Sequence, residues 1–145
     1  MYRECELTNL QQTATEMYRI ASAWRDDMAP YASMSLHELF DMLKDIPFHP
    51  DPDETELLQR PFYTLTGAGP GGDCDDKAIC AGAWCNLRGI RFRFVAVSRS
   101  RAPLHHVFTE LYLKDTWWNF DPTYAFNVLG RPDIAYPQRQ VLMPR

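Results

Sequence analysis

A chain of 145 residues that is 46% hydrophobic, 23% charged and 13% aromatic has an ordinary globular composition, and can bury about two-thirds of its unfolded surface around one core. Its formal net charge is −4, and its 15 Lys and Arg are scattered, so it has no cationic footprint for nucleic acid or an anionic membrane. The longest uncharged run, residues 78–87, is about half of a membrane span, and MYRECELTNLQQ has no apolar signal core. The expectation is one cytoplasmic domain, residues 1–145, with neither nucleic acid nor membrane as partner.

Leu7, Leu10, Ala14, Met17, Tyr18, Ala21 and Trp24 recur at spacings of three and four, which predicts an amphipathic helix over 7–28, ended near Pro30. Ser35 followed by Glu38 is a capping box, so a second helix should run from Leu36 to about Lys44, with His37 and His49 expected as surface or loop histidines. Three prolines between Pro47 and Pro52 make an extended connector, since each ring removes a donor and restricts its predecessor. A helical turn over 53–59 and the glycine-rich loop TGAGPGG follow.

Asp73 is a good N-cap type, and AICAGAWCNL carries no charge on any face, which marks a helix over 74–88 packed inside the domain. Its first residue is a cysteine. There the macrodipole and unpaired N–H groups favour a thiolate, whereas Asp73, Asp75 and Asp76 disfavour it, so the thiol needs a cationic partner. Zinc is disfavoured: on one helix Cys80 lies about 240° around from Cys74, and Cys85 about 16 Å further along, too far apart for metal bonds of about 2.3 Å. The fourth cysteine, Cys5, belongs to no motif; no metal or other cofactor is expected.

IRFRFVAV (90–97), HHVFTELYL (105–113) and TWWNFD (116–121) alternate in the manner of an antiparallel sheet. A two-residue hairpin loop at Lys114 and Asp115 would set Phe108 opposite Asp121 and make His106 the diagonal neighbour of Asp121, about 7 Å away, on the same face. His105 would point to the other face. Cys74, His106 and Asp121 then form a candidate triad of nucleophile, general base and orienter, with thiol and imidazole within about 4 Å. The bland alternatives are a buried structural cysteine, a strand histidine and an Asp-Pro turn.

GDCDDKAICAGAWCNLRGIRFRFVAV and HVFTELYLKDTWWNFDPT together resemble the transglutaminase-like superfamily, with its Cys-bearing helix start, a His followed four residues later by Glu, and a W-x-x-[LF]-D-P segment. PDPDETELLQRP before GDCDDKA resembles the small transglutaminase-like proteins of phage and prophage. The resemblance covers roughly residues 45–130 and implies an α+β, papain-like cysteine proteinase fold: N-terminal helices (1–44), a connector and loop (45–73), a catalytic core (74–130) and a C-terminal tail (131–145). It also implies Cys74 as nucleophile, His106 as base and Asp121 as orienter, with Gln59 as a candidate site-lining or oxyanion residue. The implied chemistry is acyl transfer on amide bonds of a protein or peptide, to water or to an amine. A noncatalytic binding or structural module on this fold, such as a phage assembly factor, is the competing class.

Overall fold

A computed structural model describes residues 7–49, 58–66, 71–98, 104, 106–124, 126–130 and 136–144, with side chains from Leu10 onward. Helix α1 (Leu7–Ala23) is followed by a 3-10 helix (Arg25–Tyr31), α2 (Leu36–Asp45), a five-residue α3 (Pro61–Leu65) and the central α4 (Cys74–Arg88). Strands β1 (Phe92–Ser98), β2 (His106–Leu113), β3 (Thr116–Phe120) and β4 (Gln138–Leu142) form one antiparallel sheet in the order β3-β2-β1-β4.

The long first helix expected over 7–28 is instead an α-helix and a 3-10 helix, because Pro30 lies inside the second segment, where it cannot donate to Asp26 and its ring crowds an α-helical turn. Asp27 in that segment receives both guanidinium arms of Arg60 at 2.7 and 2.8 Å and the Phe62 N–H at 3.0 Å. This clamp seats α3, whose Pro61 occupies the first turn, where its missing N–H costs nothing. The turn expected over 53–59 falls mostly outside the described residues; Leu58 and Gln59 are not helical. The Ser35–Glu38 capping box forms as expected, and His37 and His49 are exposed.

Helix α4 is buried continuously from Cys74 to Cys85, packed between α1 and the 3-10 helix on one side and β2 on the other. Trp84 donates its indole N–H to Tyr31 O at 3.0 Å, and Gly89, at φ 70°, supplies the left-handed C-cap. Thr109 Oγ1 donates to Ala78 O at 3.0 Å, which identifies the face of β2 toward α4: Val107, Thr109 and Leu111 point to it, and His106 and Phe108 point away. Tyr18 ties α1 to the sheet, accepting from Phe94 N at 2.9 Å and donating to Leu142 O. Leu142 belongs to β4, a strand within the segment expected to be a tail. Its alternation is short, and only pairing with β1 and burial of Leu142 make it a strand.

The Asp27–Arg60 pair gives the first prediction. Asp27 has its pKa held down, chiefly by the Arg60 hydrogen bonds, against a smaller effect of burial. A carboxyl depressed in the folded state stabilises above its unfolded pKa and loses that contribution as pH falls through its folded one. Asp27→Asn should cost about 1.5–3 kcal/mol in urea unfolding at neutral pH. The gap from wild type should close on acidification below the ordinary carboxylate range; a gap independent of pH contradicts it.

Candidate active site

The β2–β3 hairpin turns on Lys114 and Asp115, both in the left-handed region at φ 51° and 63°, a two-residue loop whose twist suits the flanking strands. Pairing from Leu113↔Thr116 to Thr109↔Phe120 puts Phe108 level with Asp121. His106 and Asp121 therefore share a face, and His106 Nε2 meets Asp121 Oδ2 at 2.7 Å, the two side chains 4% and 2% exposed. A carboxylate only accepts, so Nε2 carries the proton, and in the neutral imidazole Nδ1 then keeps its lone pair. The Asp121 carboxylate is oriented in turn: Oδ1 accepts from Thr123 N at 3.2 Å, and the backbone carbonyl accepts from Asn127 Nδ2 at 3.0 Å. Lys44 Nζ donates to Asn127 O at 2.8 Å, tying α2 to this loop. The imidazole lies against Tyr124, ring centroids 5.0 Å apart.

Cys74 is the first residue of α4. Asp73 Oδ1 accepts from Asp76 N at 3.2 Å, Asp76 Oδ2 accepts from Asp73 N at 3.2 Å, and Lys77 N reaches Asp73 O. The Cys74 N–H has no hydrogen-bond partner among the described residues, so it stays open at the positive end of the helix. The Val107 backbone N–H favours the thiolate, at the point where β3 has ended and register would bring Pro122 opposite Val107.

Among the described residues no hydrogen bond joins the thiol to the imidazole. The thiol lies 3.8 Å from Asp75 Oδ1 instead. His105 and Cys5 lie outside the described residues. Gln59 donates both amide hydrogens, to Gly71 O at 2.8 Å and Asp76 Oδ2 at 3.1 Å, while its N–H reaches Asp76 Oδ1 at 2.9 Å. An oxyanion role for Gln59 would require exchanging one of these bonds; as placed, it fastens the loop to the start of α4.

The family model of the transglutaminase-like superfamily matches residues 11–122. The chain belongs to the transglutaminase-like superfamily. Its α+β architecture, with the Cys-bearing helix packed on an antiparallel sheet, is a transglutaminase-like fold. A crystal structure described as a "Putative Cysteine Protease from Cytophaga hutchinsonii" is similar at 17% identity and a TM-score of 0.48, over 96% of this chain and 51% of that one. The chain thus spans about half the length of that protein. No curated protein matches it.

In this transglutaminase-like domain the thiol's surroundings oppose ionisation. Burial pushes the Cys74 pKa well up, Asp75 and Asp73 add to the rise, Asp121 adds less, and only the Val107 N–H pulls it down. Asp76, expected to act with Asp73 and Asp75, is not among these influences: its carboxylate is turned to Gln59 and the Asp73 N–H. Lys77, assigned no role from the sequence, is buried with Nζ 2.9 Å from Ile46 O. Its signal was the single basic residue in GDCDDKA, at the edge of an otherwise uncharged stretch. Asn127 carries no comparable signal, because its partner is the Asp121 main chain. Among the described residues no three His, Cys, Asp or Glu side chains are grouped to hold a metal ion.

Asp75→Asn should therefore lower the pKa of Cys74, followed by the ultraviolet absorbance of the thiolate in a variant lacking Cys5. Asp76→Asn should leave that titration nearly in place and cost about 1–2 kcal/mol of stability through the lost cap. Equal shifts in the two variants would contradict the assignment.

Proposed function

We propose that the protein is a cysteine-dependent acyl-transfer enzyme acting on amide bonds of a protein or peptide, with Cys74 as nucleophile, His106 as general base and acid, and Asp121 as orienter. The observation that carries the reading is the buried 2.7 Å bond between His106 Nε2 and Asp121 Oδ2, made one residue before Val107, whose N–H favours the Cys74 thiolate. It leaves Nδ1 available to take a proton.

The thiol turns from Asp75 to His106 Nδ1, gives up its proton there, and attacks the carbonyl carbon of the amide. The resulting oxyanion is met by the Cys74 N–H at the start of α4. His106 Nδ1–H then protonates the leaving amine, the C–N bond breaks, and a thioester remains on Cys74. Water or a second amine, deprotonated by His106, attacks the thioester and releases the acid or the new amide. Both outcomes use the same three side chains. The likeness of PDPDETELLQRP and GDCDDKA to phage and prophage proteins supports a phage-type, cytoplasmic setting.

The raised thiol pKa and the missing thiol–imidazole bond favour a second reading, a noncatalytic module of the same fold. A panel of labelled protein substrates, assayed for release of new termini and for incorporation of a fluorescent amine, separates the two. Activity should vanish in Cys74→Ala and fall at least about 100-fold in His106→Ala, with both variants folded. Activity that survives Cys74→Ala, or an inert wild type whose thiol forms no thioester with activated esters, would overturn the proposal.

A further inference from the structure

Burial of the start of α4 gathers acids of like charge. Asp73, Asp75, Asp76 and Asp121 are each no more than 2% exposed, and Lys77, at 1%, is buried among them. Cys74 and Lys77 stand three residues apart and so share one side of the helix. An ammonium has three hydrogens to donate, yet Nζ makes a single hydrogen bond among the described residues, to Ile46 O just beyond α2. Such a group is expensive to bury unless negative charge offsets its lost hydration.

The charges around it offset part of that cost. Burial is the largest effect and leaves the Lys77 pKa lowered, while Asp121 from the end of β3, Asp45 from α2, and Cys74 and Cys80 from α4 itself oppose it. The proposed reaction needs both Asp121 and Cys74 ionised, and at Cys74 burial and the neighbouring aspartates oppose the charge.

We propose that Lys77 is a positioning residue for the reaction: its buried ammonium supplies the positive charge that lets Cys74 ionise beside the carboxylates and keeps Asp121 the acceptor that orients His106. This rests on the acyl-transfer reading above. Lys77 touches no substrate and acts through these two residues. Its bond to Ile46 holds the ammonium against α4, and the adjoining chain braces the loop before Cys74, through Gly72 N to Pro47 O at 3.2 Å and His49 N to Gly72 O at 3.0 Å.

The test is the rate of iodoacetamide alkylation at Cys74, located by mass spectrometry, against pH in wild type, Lys77→Met and Lys77→Arg. Lys77→Met should move the midpoint upward by about one pH unit, a tenfold slower reaction at any pH below it. Lys77→Arg, which keeps the charge, should recover most of that shift. Superimposable wild-type and Met profiles would overturn the proposal, as would an Arg profile displaced as far as that of Met. If Lys77→Met does not fold, Lys77→Gln is read in its place; two unfolded neutral variants would assign the charge to folding alone and overturn the proposal. The wild-type curve separately decides the acyl-transfer reading: a thiol no more reactive at neutral pH than a small free thiol would sink that reading whatever Lys77 does.

Discussion

A helix that begins inside a protein must find partners there for N–H groups that water would otherwise satisfy. Helix α4 begins in this way, and its surroundings are built around that requirement. Asp73 and Asp76 cap each other's main chain, Gln59 clasps both Asp76 and the Gly71 carbonyl, and Gly71 adopts φ +117° with its Cα hydrogen where a Cβ would lie 2.4 Å from Pro47 O. The connector at Pro47 and Phe48 can therefore pair with Gly72 and close over the helix end. Among the described residues the Cys74 N–H is left without a partner, and it lies beside the sulfur. The capping that makes the helix end tolerable in the interior thus leaves in place the donor that the proposed reaction would use for its oxyanion.

The same construction sets the resting state of the thiol. A helix N-terminus contributes about 0.3–1 kcal/mol toward a negative charge, up to about 2 in favourable sites. A like charge at about 4 Å opposes it with about 4 kcal/mol at the effective dielectric of a protein surface, and Asp75 Oδ1 is 3.8 Å from the sulfur. Burial adds further opposition, so the thiol rests protonated and points its hydrogen at Asp75. In the proposed reaction that proton passes to His106, and a positive charge nearby would help the thiolate to form. Lys77 is the buried cation in position to provide it.

Much of this arrangement could be read from residue order because it rests on parity and on local chemistry. The two-residue loop at Lys114 and Asp115 determines which strand residues share a face, and the His106–Asp121 bond follows. The span 74–88 declares itself through an N-cap aspartate and an uncharged stretch. Contacts set by tertiary packing were not legible. Asp76 looked like a third charge on the thiol, but Gln59, seventeen residues earlier, draws it away; Gln59 looked like an oxyanion donor, but Gly71 and Asp76 occupy both its amide hydrogens. QRQVL is too short and polar to announce β4, and RPFYTL becomes helix α3 with Asp27 holding its first turn.

The central claim is that His106, held by Asp121, takes the proton from Cys74, and the most direct measurement is the pH dependence of Cys74 alkylation in wild type and in His106→Ala. The account predicts reactivity extending to neutral pH in wild type, and in His106→Ala a reaction confined to pH above the ordinary thiol range, where burial and Asp75 leave the thiol when no base assists it. Coincident profiles for the two proteins would contradict it and leave Cys74 a buried cysteine at a well-capped helix end.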